Sequence, residues 1–273
     1  MSFDSLWDFD QPRLSEDRFR NALKTAESED PHGEEARLLR TQLARALALQ
    51  GSFEQAAAEL DSVAAPDSAR SPGMTPIVRA YLALERGRVL RSSGSPDEAV
   101  PLFLEALDVS RAAGLDHVAA DAAHMMAIVG DAEAQITWAQ RALEIATAST
   151  DPRARKWIGS IENNLGWTLH DERRYAEALV HFERGLAARI ELGDAERIRI
   201  ARWTVARALR SLERNEEALA IQWDLAAHGP EDGYVHEELA ALLRALGHAD
   251  EAEPHAARAR ELLSPPDATS APA

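Results

Sequence analysis

The stretch NNLGWTLHDERRYAEALVHFERGL, residues 163–186, places small and large side chains at fixed offsets. If its Leu-Gly pair is numbered 7 and 8 of a repeat, the later landmarks follow at set positions: Tyr175 at 17, Ala178 at 20, Phe182 at 24 and Leu186 at 28. Small residues at positions 8 and 20 would let two antiparallel helices approach closely, and large residues would fill the space beside them. The spacing therefore predicts a helix hairpin, which needs stacked neighbours to bury both of its faces.

The same template recurs along the chain, as a repeat architecture requires. GSFEQAAAEL, from Gly51, and GSPDEAVPLFLEAL, from Gly94, carry the second-helix landmarks again, and looser copies follow. Six repeats start near residues 37, 80, 116, 159, 199 and 233, at spacings of 43, 36, 43, 40 and 34 residues. The unequal spacing indicates that helices or connections differ in length from one repeat to the next.

The composition favours an all-α chain. Hydrophobic residues make up 45% of the 273 residues and aromatic residues only 5%, so Ala and Leu supply most of the apolar surface. Ala, Leu, Glu and Arg are strong helix formers, and strand-like runs of Val, Ile, Thr and aromatic residues are missing.

Charge and cysteine content exclude several classes of function. A formal charge of −16 argues against duplex nucleic acid or an anionic membrane as the main partner. With no cysteine, thiolate zinc sites and cysteine nucleophiles are excluded. The N-terminal MSFDSLWDFD lacks the apolar run of a signal peptide, and no 18-residue apolar stretch is present, so we expect a cytoplasmic protein without a membrane span.

The Leu-Gly, Tyr, Ala, Phe and Ala-Leu pattern over about residues 37–263 resembles the tetratricopeptide repeat family, and residues 163–186 are similar to the longer repeats of kinesin light chain-like proteins. The family's closing Pro is absent from most repeats, and its Tyr at position 11 is Leu or Met here. The resemblance implies an all-α, right-handed α-solenoid of about six helix hairpins.

The chain is expected to fall into four parts: an acidic, aromatic N-terminal segment (1–13), a capping helix (14–30), the repeat array (31–263) and a disordered tail (264–273). The capping helix would begin at Ser15 as its N-cap and bury a stripe of Phe19, Ala22, Leu23 and Ala26. A loop is predicted from Asp67 to Pro76, where Ser, Gly and two Pro cluster.

Two interpretations of the N-terminal segment stay open. Its residues Phe3, Leu6, Trp7 and Phe9 either pack onto the first helices or lie in the groove of the solenoid as an internal pseudo-ligand.

In the family, the first helix of each hairpin lines a concave surface, chiefly through positions 2, 5, 9 and 12. Here those positions hold six Arg and one Glu, a formal charge of +5. Arg binds carboxylates bidentately, Trp and Tyr are typical anchors of interfaces, and Asn can hold a peptide backbone. The resemblance thus implies a groove for an acidic or extended peptide, lined by Arg45, Tyr81, Arg88, Arg91, His117, His124, Asn163, Trp167, His170, Trp203, Arg207, Arg210, Tyr234 and Arg244. In the opposing interpretation, each Arg pairs with a carboxylate on a neighbouring helix and no free positive field remains.

Enzyme motifs are missing, so we expect a non-enzymatic scaffold without cofactor or metal. Protonation of His117, His124 and His170 near pH 6 is predicted to strengthen anion binding. Two alternatives remain: a structural module that forms a homo-oligomer, through apolar residues such as Leu262 and Leu263, and a peptide or small-molecule sensor that acts through a separate effector.

Overall fold

The computed structural model describes residues 3–64 and 73–264, and this part of the chain is helical without any strand. After a short 3-10 helix (Asp4–Leu6), fourteen α-helices follow in order: α1 Pro12–Glu29, α2 Glu34–Leu49, α3 Phe53–Ala64, α4 Pro76–Ser92, α5 Pro96–Ala112, α6 Asp116–Met126, α7 Ala132–Ala148, α8 Pro152–Arg155, α9 Ile158–Asp171, α10 Tyr175–Leu192, α11 Ala195–Ser211, α12 Asn215–His228, α13 Gly233–Ala245 and α14 Ala249–Leu263. They form two compact units, an N-terminal unit (Met1–Trp157) and a C-terminal unit (Ile158–Ala273).

Each unit is built from helix hairpins, and a glycine against a phenyl ring sets how closely the two helices of a hairpin approach. In the hairpin of α9 and α10, a Cβ added to Gly166 would lie 2.5 Å from the ring of Phe182. The hairpin of α4 and α5 repeats this contact, at 2.5 Å, between Gly87 and Phe103. Both rings are buried, with exposed fractions of 1% and 0%. The predicted packing of a small residue at position 8 against a large one at position 24 is confirmed in these two hairpins.

The N-terminal unit begins with α1, which packs against α2. Phe19, Leu23 and Ala26 of α1 are buried, as the predicted stripe requires. The predicted N-cap is wrong: α1 begins at Pro12, and Ser15 lies inside it, fully buried. Its hydroxyl donates to the carbonyl oxygen of Asp8 at 2.8 Å and accepts from the Asp8 amide at 2.7 Å. Pro is well suited to the first turn of a helix, and this proline starts α1 three residues before the serine.

The third hairpin, α6 with α7, is followed by an element that the repeat template did not predict. The four-residue helix α8 is capped by the side chain of Asp151, which accepts from the Arg153 amide. Trp157 follows it, and its ring centroid lies 5.3 Å from that of His124 on α6. The looser spacing of the third repeat reflects this extra turn between α7 and α9. Most of the predicted loop Asp67–Pro76 and of the tail 264–273 lies outside the described residues.

Candidate ligand-binding surfaces

Three aromatic side chains on successive first helices form a row in the C-terminal unit, here called the aromatic ladder: Trp167 on α9, Trp203 on α11 and Tyr234 on α13. The ring centroids are 6.3 Å apart between the first two and 6.4 Å apart between the last two. The Trp203 indole also donates to the carbonyl oxygen of Tyr234 at 3.3 Å. Phe182, the ring of the hairpin core, supports Trp167 from behind at 5.2 Å. The three first helices therefore present one continuous aromatic face, and Tyr234 is 57% exposed.

Two arginines on α11 share one carboxylate on α13. Arg210 binds Glu238 bidentately, at 2.7 and 2.9 Å. The Nε of Arg207 lies 3.4 Å from the same carboxylate, and its guanidinium donates to the Ser211 hydroxyl at 3.3 Å. The group of two guanidiniums and one carboxylate keeps a formal charge of +1. Arg207 is the less tightly held of the two.

The other predicted residues of the C-terminal unit are partly engaged. His170 Nε2 lies 2.8 Å from the Ser211 hydroxyl, and the His170 ring packs on Trp167 with centroids 5.3 Å apart. Asn163 donates to the neighbouring Asn164 side chain at 3.4 Å. Arg244 pairs with Glu253 at 3.2 Å on the surface, where such a pair contributes little.

In the N-terminal unit, Arg88 is part of a buried ion cluster and is not available to a ligand. Its guanidinium binds Glu85 on the same helix and Asp121 on α6, and all three side chains are buried. Burial raises the pKa of Glu85, and the neighbouring Arg88 counteracts this. Burial together with these carboxylates raises the pKa of Tyr81 to about 12. Arg88→Glu would bury three carboxylates together, so we expect it to destabilise the fold.

Burial also changes the expected chemistry of the histidines. Burial lowers the pKa of His124 to about 4, and it lowers the pKa values of His117 and His170 as well. Burial therefore disfavours the predicted protonation of these three side chains near pH 6, most strongly that of His124. His117 Nδ1 lies 3.3 Å from the carboxylate of Asp151, which does not offset the burial.

Arg45 contacts aromatic rings of the chain itself. Its guanidinium carbon lies 5.4 Å from the ring centroids of both Trp7 and Phe9. Arg91, in the last turn of α4, is partly exposed. The structure thus gathers Arg45, Tyr81, Arg88, His117 and His124 around the buried ion cluster of the N-terminal unit, and it gathers most of the remaining predicted residues around the aromatic ladder.

Sequence reasoning missed the carboxylates that neutralise these arginines. Glu85, Asp121 and Glu238 each stand at position 6 of a repeat, and the buried Gln42 and Thr204 hold that position in two others. The predicted groove comprises only positions 2, 5, 9 and 12 of each repeat, so it leaves these carboxylates out. The signal was present, because Glu85 precedes Arg88 by three residues, a spacing at which helical side chains are neighbours.

Among residues 3–64 and 73–264, no group of three or more His, Asp or Glu side chains is arranged to hold a metal ion. Within the same described residues, every helix is too short or too polar to cross a membrane.

These hairpins define a helical repeat protein, and comparison with known proteins identifies the repeat. Residues 163–192 match the family model for the tetratricopeptide repeat, and no curated protein sequence matches the chain. The chain thus carries a tetratricopeptide repeat at residues 163–192, and its described part is an α-solenoid of helix hairpins.

Solved structures share the fold at low sequence identity. One is a signal transduction ATPase with numerous domains from Pyrococcus horikoshii, which has a tetratricopeptide repeat sensor (TM-score 0.70, 15% identity, 93% of this chain and 41% of that one). This chain therefore spans well under half of that protein. The others include the apo form of RapI (0.66, 13% identity, 93% and 72%) and a Rap protein complexed with competence and sporulation factor (0.57, 16%, 95% and 74%).

Proposed function

We propose that this protein is a non-enzymatic scaffold that binds an extended segment of a partner protein along the aromatic ladder of its C-terminal unit. The observation that carries the proposal is the ladder itself: three rings on three successive first helices, 6.3 and 6.4 Å apart, with Tyr234 57% exposed. Aromatic side chains of this kind are the usual anchors of protein interfaces, because each gives a large rigid contact with a polar edge.

The spacing of the ladder matches an extended peptide. Side chains on the same face of a strand recur every two residues, which is about 6.6 Å along the chain. The centroid distances of 6.3 and 6.4 Å are close to this repeat. Alternate side chains of a bound strand would therefore each meet one ring of Trp167, Trp203 and Tyr234.

The arginine pair beside the ladder favours an acidic residue in that segment. Arg207 and Arg210 have Glu238 between them, so one positive charge is in excess. A carboxylate of the ligand would bind Arg207 through charge-assisted hydrogen bonds while Arg210 keeps Glu238. The site thus prefers an acidic residue at one position of the ligand. The contacts with the three rings of the ladder extend over three repeats.

The structural relatives support a binding role without defining the ligand. A Rap protein of this fold is complexed with a competence and sporulation factor, and the archaeal ATPase has its repeats as a sensor. The second favours the alternative in which this chain is a sensor that acts through an effector on another polypeptide. A homo-oligomer remains a separate hypothesis, since Leu263 is 39% exposed while Leu262 is partly buried.

The test uses a random library of 12-residue peptides displayed on phage, selected against the intact chain and measured by fluorescence anisotropy. We expect Trp203→Ala to weaken binding of the selected peptides at least about 30-fold, as for a central interface anchor. Arg207→Glu should weaken the binding of peptides that contain an Asp or Glu. It should leave the binding of their Asn or Gln analogues nearly unchanged.

The matched control is Arg202→Glu, which makes the same charge change on α11. Arg202 pairs with Asp224 on the second helix α12 at 2.6 Å, whereas the ladder residues lie on first helices. Circular dichroism of each variant checks the fold. Selected peptides that bind Trp203→Ala as well as they bind the unaltered chain would refute the proposal.

A further inference from the structure

The N-terminal segment, residues 3–10, lies on the side chains of the N-terminal unit that correspond to ligand-facing positions. Trp7 and Phe9 stack on one another, with centroids 4.7 Å apart and planes 3° apart. The guanidinium of Arg45 on α2 lies over both rings at 5.4 Å. The Trp7 indole donates to the side-chain oxygen of Gln42 at 3.2 Å. Two residues of the segment, both on the same side of the chain, are thus held by one face of α2.

A third aromatic residue, Phe3, brings the segment into contact with α4, the first helix of the next hairpin. Phe3 packs edge-on against Phe19 of α1 and against Tyr81 of α4, with both centroids 6.3 Å away. Arg45 and Tyr81 lie on α2 and α4, the first helices of two successive hairpins. The segment therefore contacts two repeats through its aromatic side chains, as an extended peptide would.

The segment is held most firmly at its start and least firmly at Phe9. Phe3 is 8% exposed, whereas Phe9 is 48% exposed although it touches the protein with one ring face. Between Trp7 and Gln11 the backbone is neither helix nor strand, and Asp8 is tied to α1 through Ser15. A contact of this kind, a stacked ring pair and one side-chain hydrogen bond, is exchangeable in a way that the buried hairpin cores are not.

We propose that residues 3–10 are an intramolecular ligand of the N-terminal unit and that an extended partner segment of the same chemistry displaces them. That chemistry is two aromatic side chains separated by one residue, with Asp between and after them, as in Trp7-Asp8-Phe9-Asp10. The rings cover the Arg45 guanidinium through cation–π contact, and the Trp indole satisfies Gln42. This proposal concerns the N-terminal unit and is independent of the aromatic ladder of the C-terminal unit. It holds even if the ladder binds no peptide.

The arrangement also explains why Arg45 differs from Arg88. Arg88 is paired with both Glu85 and Asp121 within the unit, and this cluster lies close enough to influence Arg45 electrostatically. The Arg45 guanidinium instead lies 5.4 Å from the ring centroids of Trp7 and Phe9. A segment that binds here therefore needs aromatic rings beside Arg45. Its carboxylates add an electrostatic attraction to the Arg45 guanidinium.

The probe is a fluorescein-labelled peptide of residues 2–11, SFDSLWDFDQ, titrated in fluorescence anisotropy. It is added to the intact chain and to the double variant Trp7→Ala/Phe9→Ala, which keeps Phe3 and so keeps Phe19 covered. We expect the double variant to bind the peptide at least tenfold more tightly, because its own segment no longer competes. A peptide with Trp7 and Phe9 changed to Ala should not bind, and one with Asp8 and Asp10 changed to Asn should bind more weakly than the original.

Two further substitutions in the double-variant background locate the site. Arg45→Glu should reduce peptide affinity at least tenfold, and Arg86→Glu is its matched control, because Arg86 pairs with Asp61 on α3 at 2.7 Å. Trp203→Ala should leave this affinity unchanged, because Trp203 belongs to the aromatic ladder. This variant therefore distinguishes the two proposed binding sites. Equal binding by the intact chain and the double variant, no binding to either, or binding that does not depend on Arg45 would overturn the proposal.

Discussion

The substitution Gly166→Ala tests the packing rule on which the fold rests. The added Cβ would lie 2.5 Å from Cε1 of the Phe182 ring and 2.6 Å from Cδ1, and the ring is 1% exposed. Ordinary contacts of a Cβ begin near 3.4 Å. The ring must therefore move by about 1 Å inside a buried hairpin, or the two helices must separate.

Two opposing terms set the magnitude. Replacing Gly by Ala inside a helix contributes about 1 kcal/mol of stability from helix propensity. Overpacking a buried site costs about 1–3 kcal/mol. We expect a net loss of up to about 2 kcal/mol for Gly166→Ala, and hence a lower urea midpoint for the transition of the C-terminal unit.

Gly185→Ala on α10 is the matched control within the same hairpin. A Cβ there would meet its nearest atoms, the Cβ of Glu162 and the carbonyl oxygen of Gly159, at 3.4 Å, which is ordinary contact. This variant should gain up to about 1 kcal/mol from propensity alone. Because the propensity gain is common to both, the two variants should differ by the overpacking cost of about 1–3 kcal/mol in urea unfolding followed by far-UV circular dichroism, with the m-values compared to detect loss of cooperativity.

A double-mutant cycle isolates the contact itself. Phe182→Leu removes the edge of the ring that the new Cβ strikes, so Gly166→Ala should cost less in that background than in the unaltered chain. The reasoning is refuted if Gly166→Ala is as stable as Gly185→Ala, or if its cost is the same with leucine at position 182.

Two other predictions concern backbone strain and acid. Glu213 has a left-handed backbone, with φ of 59°, in the turn between α11 and α12, so Glu213→Gly should raise stability by about 0.5–1 kcal/mol in the same urea assay; an unchanged or lower midpoint would contradict this. Burial lowers the pKa of His124 from 6.5 to about 4, so the folded side chain stays neutral while the unfolded one takes up a proton below pH 6.5. Its contribution is complete above pH 6.5 and falls by about 3 kcal/mol as the pH drops to about 4; His124→Gln should flatten that part of the urea midpoint–pH curve, and an equal slope in both proteins would exclude His124 as its source.

The hairpins were predictable from the sequence because their decisive contacts are local and repeated. Gly166 and Phe182 are sixteen residues apart, and so are Gly87 and Phe103. The same contact between a glycine and a phenylalanine ring occurs in both hairpins. The periodic spacing of small and large residues was therefore sufficient to predict it. The start of α1 was not predictable in this way, since Ser15 takes its partner from Asp8, seven residues earlier, instead of capping the helix.

The charge of the ligand-facing surface was harder to predict, because it depends on which side chains are buried together. The arginines at positions 9 and 12 were counted without the residues at position 6, and position 6 holds Glu85, Asp121 and Glu238. A surface whose formal charge is +5 over the four counted positions therefore contains, in one unit, a cluster that is formally neutral when Arg45 is counted with Arg88, Glu85 and Asp121, and a residual charge of +1 beside the ladder in the other. The opposing interpretation, that neighbouring carboxylates pair with these arginines, holds for Arg88 and in large part for Arg210.

The aromatic residues differ from the arginines in this respect, and this difference decides how a ligand would be selected. A carboxylate at position 6 cancels a nearby guanidinium, whereas no neighbour removes the apolar face of Trp203 or Tyr234 unless it covers it. In the N-terminal unit the corresponding face is covered, by Trp7 and Phe9 of the chain itself, and the cover is again aromatic. Recognition in this protein should accordingly depend first on the register of rings along an extended segment and only second on its charge, so that replacing the aromatic residues of a ligand should cost more affinity than neutralising its carboxylates.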